Sequence, residues 1–385
     1  MNILIAPDSF KESLSAKEAA QAMQEGFARV FPQANYQIVP MADGGEGTSE
    51  ALLWATQGER VTCTVQDPLG RPIDAFFVIT GDRRTAIIEL AQASGLERLK
   101  PSERNPELTT SFGTGQLITA ALDQGIHHIV IGLGGSATND AGCGLLMALG
   151  LRLLDNQGQA ISPTGAGLGK VAAMDMSHLD KRLQEADIEV ACDVDNPLTG
   201  PHGASAVFGP QKGASPKQIE KLDRHLKHFA HLAKDILGLD METVAGGGAA
   251  GGTGAALYAF VNGKLRSGLD IVAELVDLEQ KVSWADLVIT GEGRIDGQSL
   301  HGKTPVGIAR IAKRHGKAVI AIGGSLLEGA EAVLNVGVDA IASTVCEPKS
   351  LDEILRQARS NLISSAFRVA CLLKLGKSLP IDVHS

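Results

Sequence analysis

Several features that mark other protein classes are scarce in this sequence of 385 residues. Aromatic residues make up only 4% of the chain, which weakens any function that depends on stacking bases against aromatic side chains. Lysine and arginine number 35 against 44 aspartates and glutamates, so the net charge is −9. Because nucleic-acid binders normally present a basic face and none stands out here, we expect no nucleic-acid partner.

Cysteine patterning and long apolar segments are also lacking. The five cysteines are dispersed along the chain, at Cys63, Cys143, Cys192, Cys346 and Cys371. Without a CxxC pair, they argue against a disulfide framework and against a structural zinc site. The N-terminal MNILIAPDSF has no basic segment followed by a long apolar stretch, so we expect no signal peptide. The longest uncharged run, residues 243–263, is too rich in glycine for a membrane span, and we therefore expect a cytoplasmic protein without a membrane partner.

Glycine is abundant, with 45 residues against a usual share of about 7%. The glycines follow no regular period, which excludes collagen and leaves tight backbone turns as their explanation. Between them, short β-branched runs alternate with alanine-rich helical patterns. Residues 2–5 read as a strand and residues 15–31 as a helix with Ser15 as its N-cap, followed by a strand at 36–40 and a helix near 48–56. This βαβα start favours a parallel sheet that is covered on both faces.

From residue 60 the pattern changes to three strands, at 60–66, 73–80 and 85–89, joined by turns too short for parallel pairing. Residues 216–237 read as a long amphipathic helix, and past a glycine tract the tail returns to strand–helix alternation. We therefore predict an α/β protein of two α/β domains. Residues 1–60 and 281–385 would form a discontinuous, doubly wound domain with a Rossmann- or flavodoxin-like parallel sheet, and residues 61–280 an inserted mixed α/β domain. The active site is expected in the cleft between them.

Four polar, glycine-rich loops are the segments that could carry chemistry, at residues 6–13, 42–50, 132–142 and 290–304. At least three follow a predicted strand and precede a helix. In an open parallel sheet such loops lie at the ligand crevice, where glycine allows close backbone approach and helix N-termini attract anions. Several such loops in one chain predict a phosphate-rich ligand.

Two loops also match short nucleotide-binding motifs, although the surroundings of each differ from those that its motif requires. GLGGSA at 132–137 fits a dinucleotide fingerprint with Asp155 as the ribose-binding acid, which keeps a nicotinamide-dependent oxidoreductase as an alternative. GQSLHGKT at 297–304 fits a phosphate loop, but its strand ends several residues too early and charged residues intervene. Lys303 remains a candidate phosphate contact.

The charged residues of these loops suit phosphoryl transfer, which needs cations for the phosphate oxygens, carboxylates for Mg²⁺ and a base for the attacking hydroxyl. The candidate cations are Lys11, Arg294 and Lys303. The candidate carboxylates are Asp8, Asp43, Asp140, Asp193 and Asp296. Asp193 follows an apolar strand, where it would enter a cleft, although it could equally cap a turn with its neighbours.

The same segments, in this order, resemble the bacterial glycerate kinase family of the type 1, glycerate 2-kinase-like branch. The resemblance rests on APDSFKESLSA, ADGGEGTSEAL, GTGQLITAAL running into GLGGSATNDAGCGLL, and ITGEGRIDGQSLHGKTPVGIA, and it covers almost the whole chain. It implies a cytoplasmic kinase that uses ATP and Mg²⁺ to phosphorylate D-glycerate in glyoxylate- or glucarate-type catabolism. The expected product is 2-phospho-D-glycerate, with the 3-phosphate isomer as the alternative.

Individual roles follow from the chemistry of the side chains, since the family motifs do not assign them. Catalytic roles are predicted for Asp193, Lys11, Arg294 and Asp296, with Asp193 as the base and Asp296 and Asp43 as its rivals. Nucleotide contacts are predicted for Gly134, Gly135, Ser136, Thr138, Asn139, Gly291, Glu292, Gly293 and Lys303. Substrate contacts are predicted for Asp8, Ser9, Asp43 and Gly44, and metal contacts for Asp140 and Asp43. A non-enzymatic nucleotide-binding module is a third hypothesis, and a homodimer is one possible assembly.

Overall fold

The computed structural model describes residues 1–300, 303–345, 347 and 349–378. His301 and Gly302 of the GQSLHGKT run, and Cys346, lie outside the described residues. The chain divides into two compact units. The first comprises residues 1–43 and 272–385, and the second comprises residues 44–271.

The strands and helices are numbered here in chain order. The strands are β1 (Asn2–Ile5), β2 (Asn35–Ile38), β3 (Glu59–Gln66), β4 (Pro72–Ile79), β5 (Thr85–Glu89), β6 (His128–Gly132), β7 (Arg152–Leu154), β8 (Ala173–Asp175), β9 (Asp187–Ala191), β10 (Lys264–Arg266), β11 (Leu287–Ile295), β12 (Ala318–Leu326) and β13 (Ala340–Ser343). The helices are α1 (Ala16–Ala28), α2 (Thr48–Ala55), α3 (Ala91–Ser94), α4 (Phe112–Asp123), α5 (Cys143–Ala148), α6 (Gly165–Leu168), α7 (Ala204–Phe208), α8 (Pro216–Leu237), α9 (Ala249–Val261), α10 (Gly268–Leu275), α11 (Leu278–Trp284), α12 (Thr304–Arg314), α13 (Leu351–Arg356) and α14 (Ala358–Ser378).

The first unit contains a five-stranded sheet in the order β13-β12-β11-β1-β2, and all its pairings are parallel. Numbered within the unit, this is the 2-1-3-4-5 order of a flavodoxin-like doubly wound sheet, so the predicted fold class is confirmed. The sequence places the domain boundaries at residues 60 and 280, whereas the units divide after Asp43 and before Val272. The first boundary differs because α2 packs against β4 and β5 and so belongs with the second unit.

Successive buried side chains along β1 in the first unit pack on opposite faces of the sheet. Ile3 and Ile5 belong to one buried cluster with α1 and α14, whereas the equally buried Leu4 does not, so it points to the opposite face. Both faces of the sheet are thus covered, as the short apolar strands predict. The N-cap prediction at α1 also holds, because Ser15 and Glu18 form a reciprocal capping box.

The second unit contains a six-stranded mixed sheet in the order β10-β9-β6-β5-β4-β3. The strands β10, β9, β6 and β5 pair in parallel, and β5, β4 and β3 pair antiparallel, as their short turns predict. The predicted long helix is α8, whose Phe229 stacks on Phe260 of α9 with ring centroids 5.9 Å apart. In the part of the chain that the structure describes, no helix is long and apolar enough to cross a membrane.

The close packing of α1 on α14 gives a test of the first unit's fold. A Cβ atom at Gly26 would lie 2.5 Å from the Ile363 carbonyl oxygen and 2.6 Å from the Ala366 Cβ. Gly26→Val must therefore push the helices apart, and we expect it to lower the free energy of unfolding by roughly 1–3 kcal/mol. Denaturant unfolding measures the loss. Gly376→Ala on α14, where no atom lies within 4 Å of the added Cβ, is the control and should unfold at the wild-type midpoint or slightly above it. Equal midpoints for the valine variant and the wild type would contradict this packing.

Candidate active site

The first unit brings a group of charged side chains to the carboxyl edge of its parallel sheet. The chain passes from β1 outwards to β2 and returns on the other side of β1 as β11, so the topological switch point lies between β1 and β11. Asp8 follows β1, and its backbone N–H donates to the Gly291 carbonyl oxygen at 2.9 Å. Glu292 and Arg294 lie in the last part of β11. Open α/β sheets bind their ligands at such a switch point.

Asp8 is the carboxylate with the most constrained surroundings in this group. Its Oδ1 accepts from the Ser9 backbone N–H at 2.6 Å, and its Oδ2 accepts from the Thr304 hydroxyl at 2.7 Å. Burial and, to a smaller extent, the negative charge of Asp43 raise the pKa of the Asp8 carboxyl to about 6, although the two hydrogen bonds and Lys11 oppose the rise. A carboxyl that titrates this close to neutrality can accept a proton and give it up again.

A second carboxylate of the group, Glu292, is tied into an ionic network. The Ser299 hydroxyl donates to Glu292 Oε1 at 2.9 Å, and Lys303 Nζ lies 3.6 Å from Glu292 Oε2 and 3.7 Å from Asp296 Oδ1. Burial raises the pKa of Glu292, and the charge of Lys303 opposes this effect. Arg294 Nε pairs with Asp296 Oδ2 at 2.9 Å. Lys303 is therefore balanced by two carboxylates, unlike a phosphate-loop lysine that faces only phosphates.

Two cations remain accessible at this edge. The Arg294 side chain is 56% exposed, and Lys11 is exposed. Together with Asp8 they could hold a small hydroxy acid, because a guanidinium or ammonium group binds a carboxylate while an adjacent carboxylate accepts a hydroxyl proton.

Most of the site residues predicted in the first unit are thus neighbours, although two of them, Gly291 and Gly293, lie in a different kind of element from the one expected. The members of this group are Asp8, Ser9, Lys11, Asp43, Gly291, Glu292, Gly293, Arg294, Asp296 and Lys303. Gly291 and Gly293 were expected in a loop that offers N–H groups to phosphates. They lie within β11, whose pairing with β12 continues to Ile295↔Leu326. The expectation of a loop is therefore wrong at these two residues, and their contact with phosphate stays a prediction.

In the second unit, two glycine loops pack directly on one another. Gly44 has a φ of +85°, and a Cβ there would lie 2.6 Å from the Ala191 Cβ and 3.0 Å from the Gly268 Cα. A Cβ at Gly134 would lie 3.0 Å from the Gly45 Cα. Residues 42–50 and 132–142 therefore meet near the carboxyl ends of β6 and β9, and only glycine permits the contact.

The loop after β6 has an exposed tip and a buried body. Gly134 and Gly135 are exposed, whereas Thr138 and Asn139 are completely buried. The Asn139 side chain donates from Nδ2 to the Ser205 hydroxyl at 2.9 Å. The buried Thr138 Oγ1 and Asn139 Oδ1 have no hydrogen-bond partner among the described residues. The tip can therefore present backbone N–H groups to an anion. The buried body fixes the position of the tip, and the direct nucleotide contact expected for Thr138 and Asn139 stays a prediction.

The glycine tract at residues 246–254 supports this loop from behind. Ala250, Gly251 and Gly252 have φ values of 51°, 67° and 95°, so they interrupt α9 in the left-handed region. The Gly251 carbonyl oxygen accepts from the Ala141 N–H at 2.9 Å. The tract thus has a structural role that its composition alone did not reveal.

Asp140, predicted as a metal ligand, has both carboxylate oxygens occupied by protein donors. It is completely buried and accepts hydrogen bonds from the Ser111 N–H and hydroxyl and from the backbone N–H groups of Gly142 and Gly144. Burial raises the pKa of this carboxyl and the four bonds oppose the rise. This arrangement anchors the start of α5. Among the residues that the structure describes, no three His, Cys, Asp or Glu side chains are grouped so as to hold a metal ion.

Asp193, predicted as the base, lies in the second unit beyond β9. Its Oδ1 accepts from the Gly268 backbone N–H at 3.1 Å, at the first residue of α10. The side chain is exposed. The capping alternative considered for this residue therefore has a specific partner, a helix N-terminus that stabilises the anionic form.

Two residues that the sequence arguments missed are buried at these loops. Lys212 is 1% exposed, and its Nζ donates to the Ser136 hydroxyl at 2.9 Å and to the Thr138 carbonyl oxygen at 2.6 Å. Burial lowers the pKa of this ammonium to about 7, and Asp140 opposes the fall. Glu89 accepts from the Ser49 N–H at 2.6 Å. Glu89 ends a predicted strand, which was a usable signal, whereas Lys212 lies in no motif.

The dinucleotide alternative is not supported. Asp155 accepts from the N–H groups of Gln157 and Gln159 in a turn after β7. Since β7 pairs with β8 in a separate two-stranded antiparallel sheet, Asp155 does not end a parallel strand next to β6. The ribose-binding position of a Rossmann unit is therefore absent from this part of the described chain.

Comparisons with known proteins agree with one another. The sequence profile of the glycerate kinase family matches residues 3–374. The glycerate kinase of Bacillus subtilis (strain 168) is 51% identical over 379 residues, which cover 98% of this chain and 99% of that protein. The glycerate 2-kinase of Escherichia coli (strain K12) is 50% identical over 376 residues, with the same coverage. A crystal structure described as a candidate glycerate kinase 2 from Salmonella typhimurium LT2 aligns with a TM-score of 0.90 and 53% identity, and covers 98% of this chain and 100% of that chain.

The hydrogen bond between Thr304 and Asp8 gives a test of the first unit's site. The hydroxyl donates to the ionised carboxylate and so favours it, which means that its loss favours the protonated form and raises the pKa. We expect Thr304→Val to raise the pKa of Asp8 from about 6 by about one unit, the shift that corresponds to one lost charge-assisted bond. Carbon-13 NMR of aspartate carboxyls in metal-free protein measures it, with Asp8→Asn assigning the signal. Thr304→Ser keeps the hydroxyl and should leave the pKa in place; an unchanged or lowered pKa in the valine variant would show that the bond does not tune Asp8.

Proposed function

The chain belongs to the glycerate kinase family, and from this premise we propose that it transfers the terminal phosphoryl group of MgATP to D-glycerate. The products would be ADP and 2-phospho-D-glycerate. The name of the Escherichia coli relative supports the 2-phosphate isomer. The observation that carries the chemistry is Asp8, a carboxyl with a pKa of about 6 beside exposed cations at the switch point of a parallel sheet.

For the nucleotide, we propose that the exposed tip at Gly134 and Gly135 binds phosphate oxygens through backbone N–H groups. Mg²⁺ usually keeps several waters and takes only one or two carboxylates besides the phosphates, so the lack of a three-residue cluster in the described chain fits it. Asp43, which is partly exposed, suits this role better than the fully bonded Asp140. When bound, Mg²⁺ would neutralise charge on the phosphate oxygens.

For the acceptor substrate, we propose that Arg294 and Lys11 bind the glycerate carboxylate and that Asp8 accepts the hydroxyl proton. Asp8 supports this role better than Asp193 for two reasons. The pKa of Asp8 is raised to about 6, close to neutrality, and Ser9 and Thr304 fix the orientation of its carboxylate. Asp193, in contrast, is exposed and caps α10 through the Gly268 N–H.

The activity has a direct test. We expect purified protein with MgATP to release ADP only when D-glycerate is added, as a coupled assay would show. Phosphorus NMR of the product should give the 2-phosphate isomer. A 3-phosphate product would show that the enzyme phosphorylates the other hydroxyl of D-glycerate. ATP binding without any glycerate-dependent ADP release would instead support the nucleotide-binding module.

The choice of base is tested by a matched pair of variants. Asp8→Asn removes the proton acceptor and keeps the shape of the side chain, so we expect kcat to fall by about 10²–10⁴-fold with little change in the KM for ATP. Asp193→Asn should keep most of the turnover, because its amide oxygen can still accept from Gly268. Steady-state kinetics with circular dichroism as a folding control measures both. A severe loss of kcat in the Asp193 variant, with normal kcat in the Asp8 variant, would show that Asp193 is the base.

A further inference from the structure

The lysine at the end of the Pro210–Lys212 turn is fixed in an unusual place. Its backbone N–H donates to the Gly209 carbonyl oxygen at 3.0 Å, and the next residue, Gly213, has a φ of +89°. The side chain then runs into the interior, where the whole residue is 1% exposed. Both hydrogen-bond acceptors of its ammonium belong to the loop after β6, although that loop is more than 70 residues away in the sequence.

The bonding pattern of that loop shows what the lysine adds. On one side, the Gly135 carbonyl oxygen accepts from the Leu96 N–H at 2.8 Å, and the Ala137 N–H donates to the Ser94 carbonyl oxygen at 2.9 Å. Lys212 bonds to the residues between and after these two, Ser136 and Thr138. Residues 135–138 are therefore held by hydrogen bonds from two sides in turn.

The ammonium contributes charge as well as geometry. Its two acceptors are neutral oxygens, and the nearby Asp140 carboxylate is already occupied by Ser111, Gly142 and Gly144. A buried ammonium without a carboxylate in direct contact destabilises a fold, so packing alone does not account for it. In its protonated form, the ammonium bonded to the residue after Gly135 would, however, raise the electrostatic potential at the N–H groups of the tip, which is the proposed phosphate site.

We propose that Lys212 is a positioning residue for nucleotide binding, which orders the Gly134–Gly135 tip and makes it electropositive without touching the ligand. The inference rests on the proposed function only in taking nucleotide phosphates as the anion. It predicts that changes at Lys212 act on ATP and leave D-glycerate binding unaffected. A lysine with a purely structural role would affect stability without this selectivity.

Lys212→Met keeps the length of the side chain and removes its charge and donors. We expect a folded protein whose Kd for ATP, measured by isothermal titration, rises by about tenfold or more, with a similar rise in the KM for ATP and no change in the KM for D-glycerate. The control is Lys217→Met, the same substitution at an exposed lysine of α8 in the same unit, which should behave as wild type. Wild-type affinity for ATP in the Lys212 variant, or an equal loss for both substrates, would overturn the proposal.

A second variant covers the case in which Lys212→Met does not fold. Ser136→Ala removes one acceptor of the ammonium with a smaller lesion, and we expect it to weaken ATP binding selectively. Where all variants fold, the double variant should bind ATP no more weakly than Lys212→Met alone, because both changes remove the same interaction. Additive losses, or unchanged ATP binding in Ser136→Ala, would contradict the proposal. Because ATP titration needs no turnover, a failure of the proposed function appears separately, as absent glycerate-dependent ADP release by the wild type.

Discussion

Parallel pairing between strands from opposite ends of the chain is the constraint on which the first unit's chemistry depends. β1 pairs with β11 in the register Ile3↔Leu287 to Ile5↔Ile289, so two segments separated by more than 280 residues end at the same edge. Since parallel strands leave the sheet in one direction, Asp8 and Glu292 emerge side by side. Burial raises the pKa of both carboxyls, and nearby negative charge adds to this effect, from Asp43 at Asp8 and from Asp8 at Glu292.

Partial burial of Asp8 raises the pKa of its carboxyl towards neutrality. Water would hold an isolated aspartate ionised far below neutral pH, whereas the surroundings of Asp8 disfavour its charge and two hydrogen bonds limit the effect. In the proposed function, the exposed Arg294 and Lys11 would supply positive charge for an anionic substrate. A carboxyl with this balance of influences is suited to accept a hydroxyl proton and then release it.

The second unit solves a different problem, which is how to hold a flexible glycine loop in one conformation. Gly44 and Gly134 allow backbones to approach each other where any Cβ would collide. The freedom that glycine brings must then be restricted by other means, because an ordered loop binds a ligand at lower entropic cost. Buried polar groups provide the restriction, with Asp140 bonded to four donors and Lys212 bonded to two acceptors of the loop.

The sequence by itself determined the features that depend on neighbouring residues. Residue periodicity predicted α8 to its last residue and the antiparallel strands β3–β5. The order of the glycine-rich loops along the chain indicated the glycerate kinase family. The sequence could not determine where β11 ends, because glycines in TGEGR read as a turn, whereas the partner strand β12 keeps them in the ladder. Nor could it reveal that Asp140 is enclosed and Lys212 buried, since burial and hydrogen-bond partners are set by segments distant in sequence. Only the tertiary structure decided these points, because a charged group's pKa and accessibility depend on which atoms surround it and not on its neighbours along the chain.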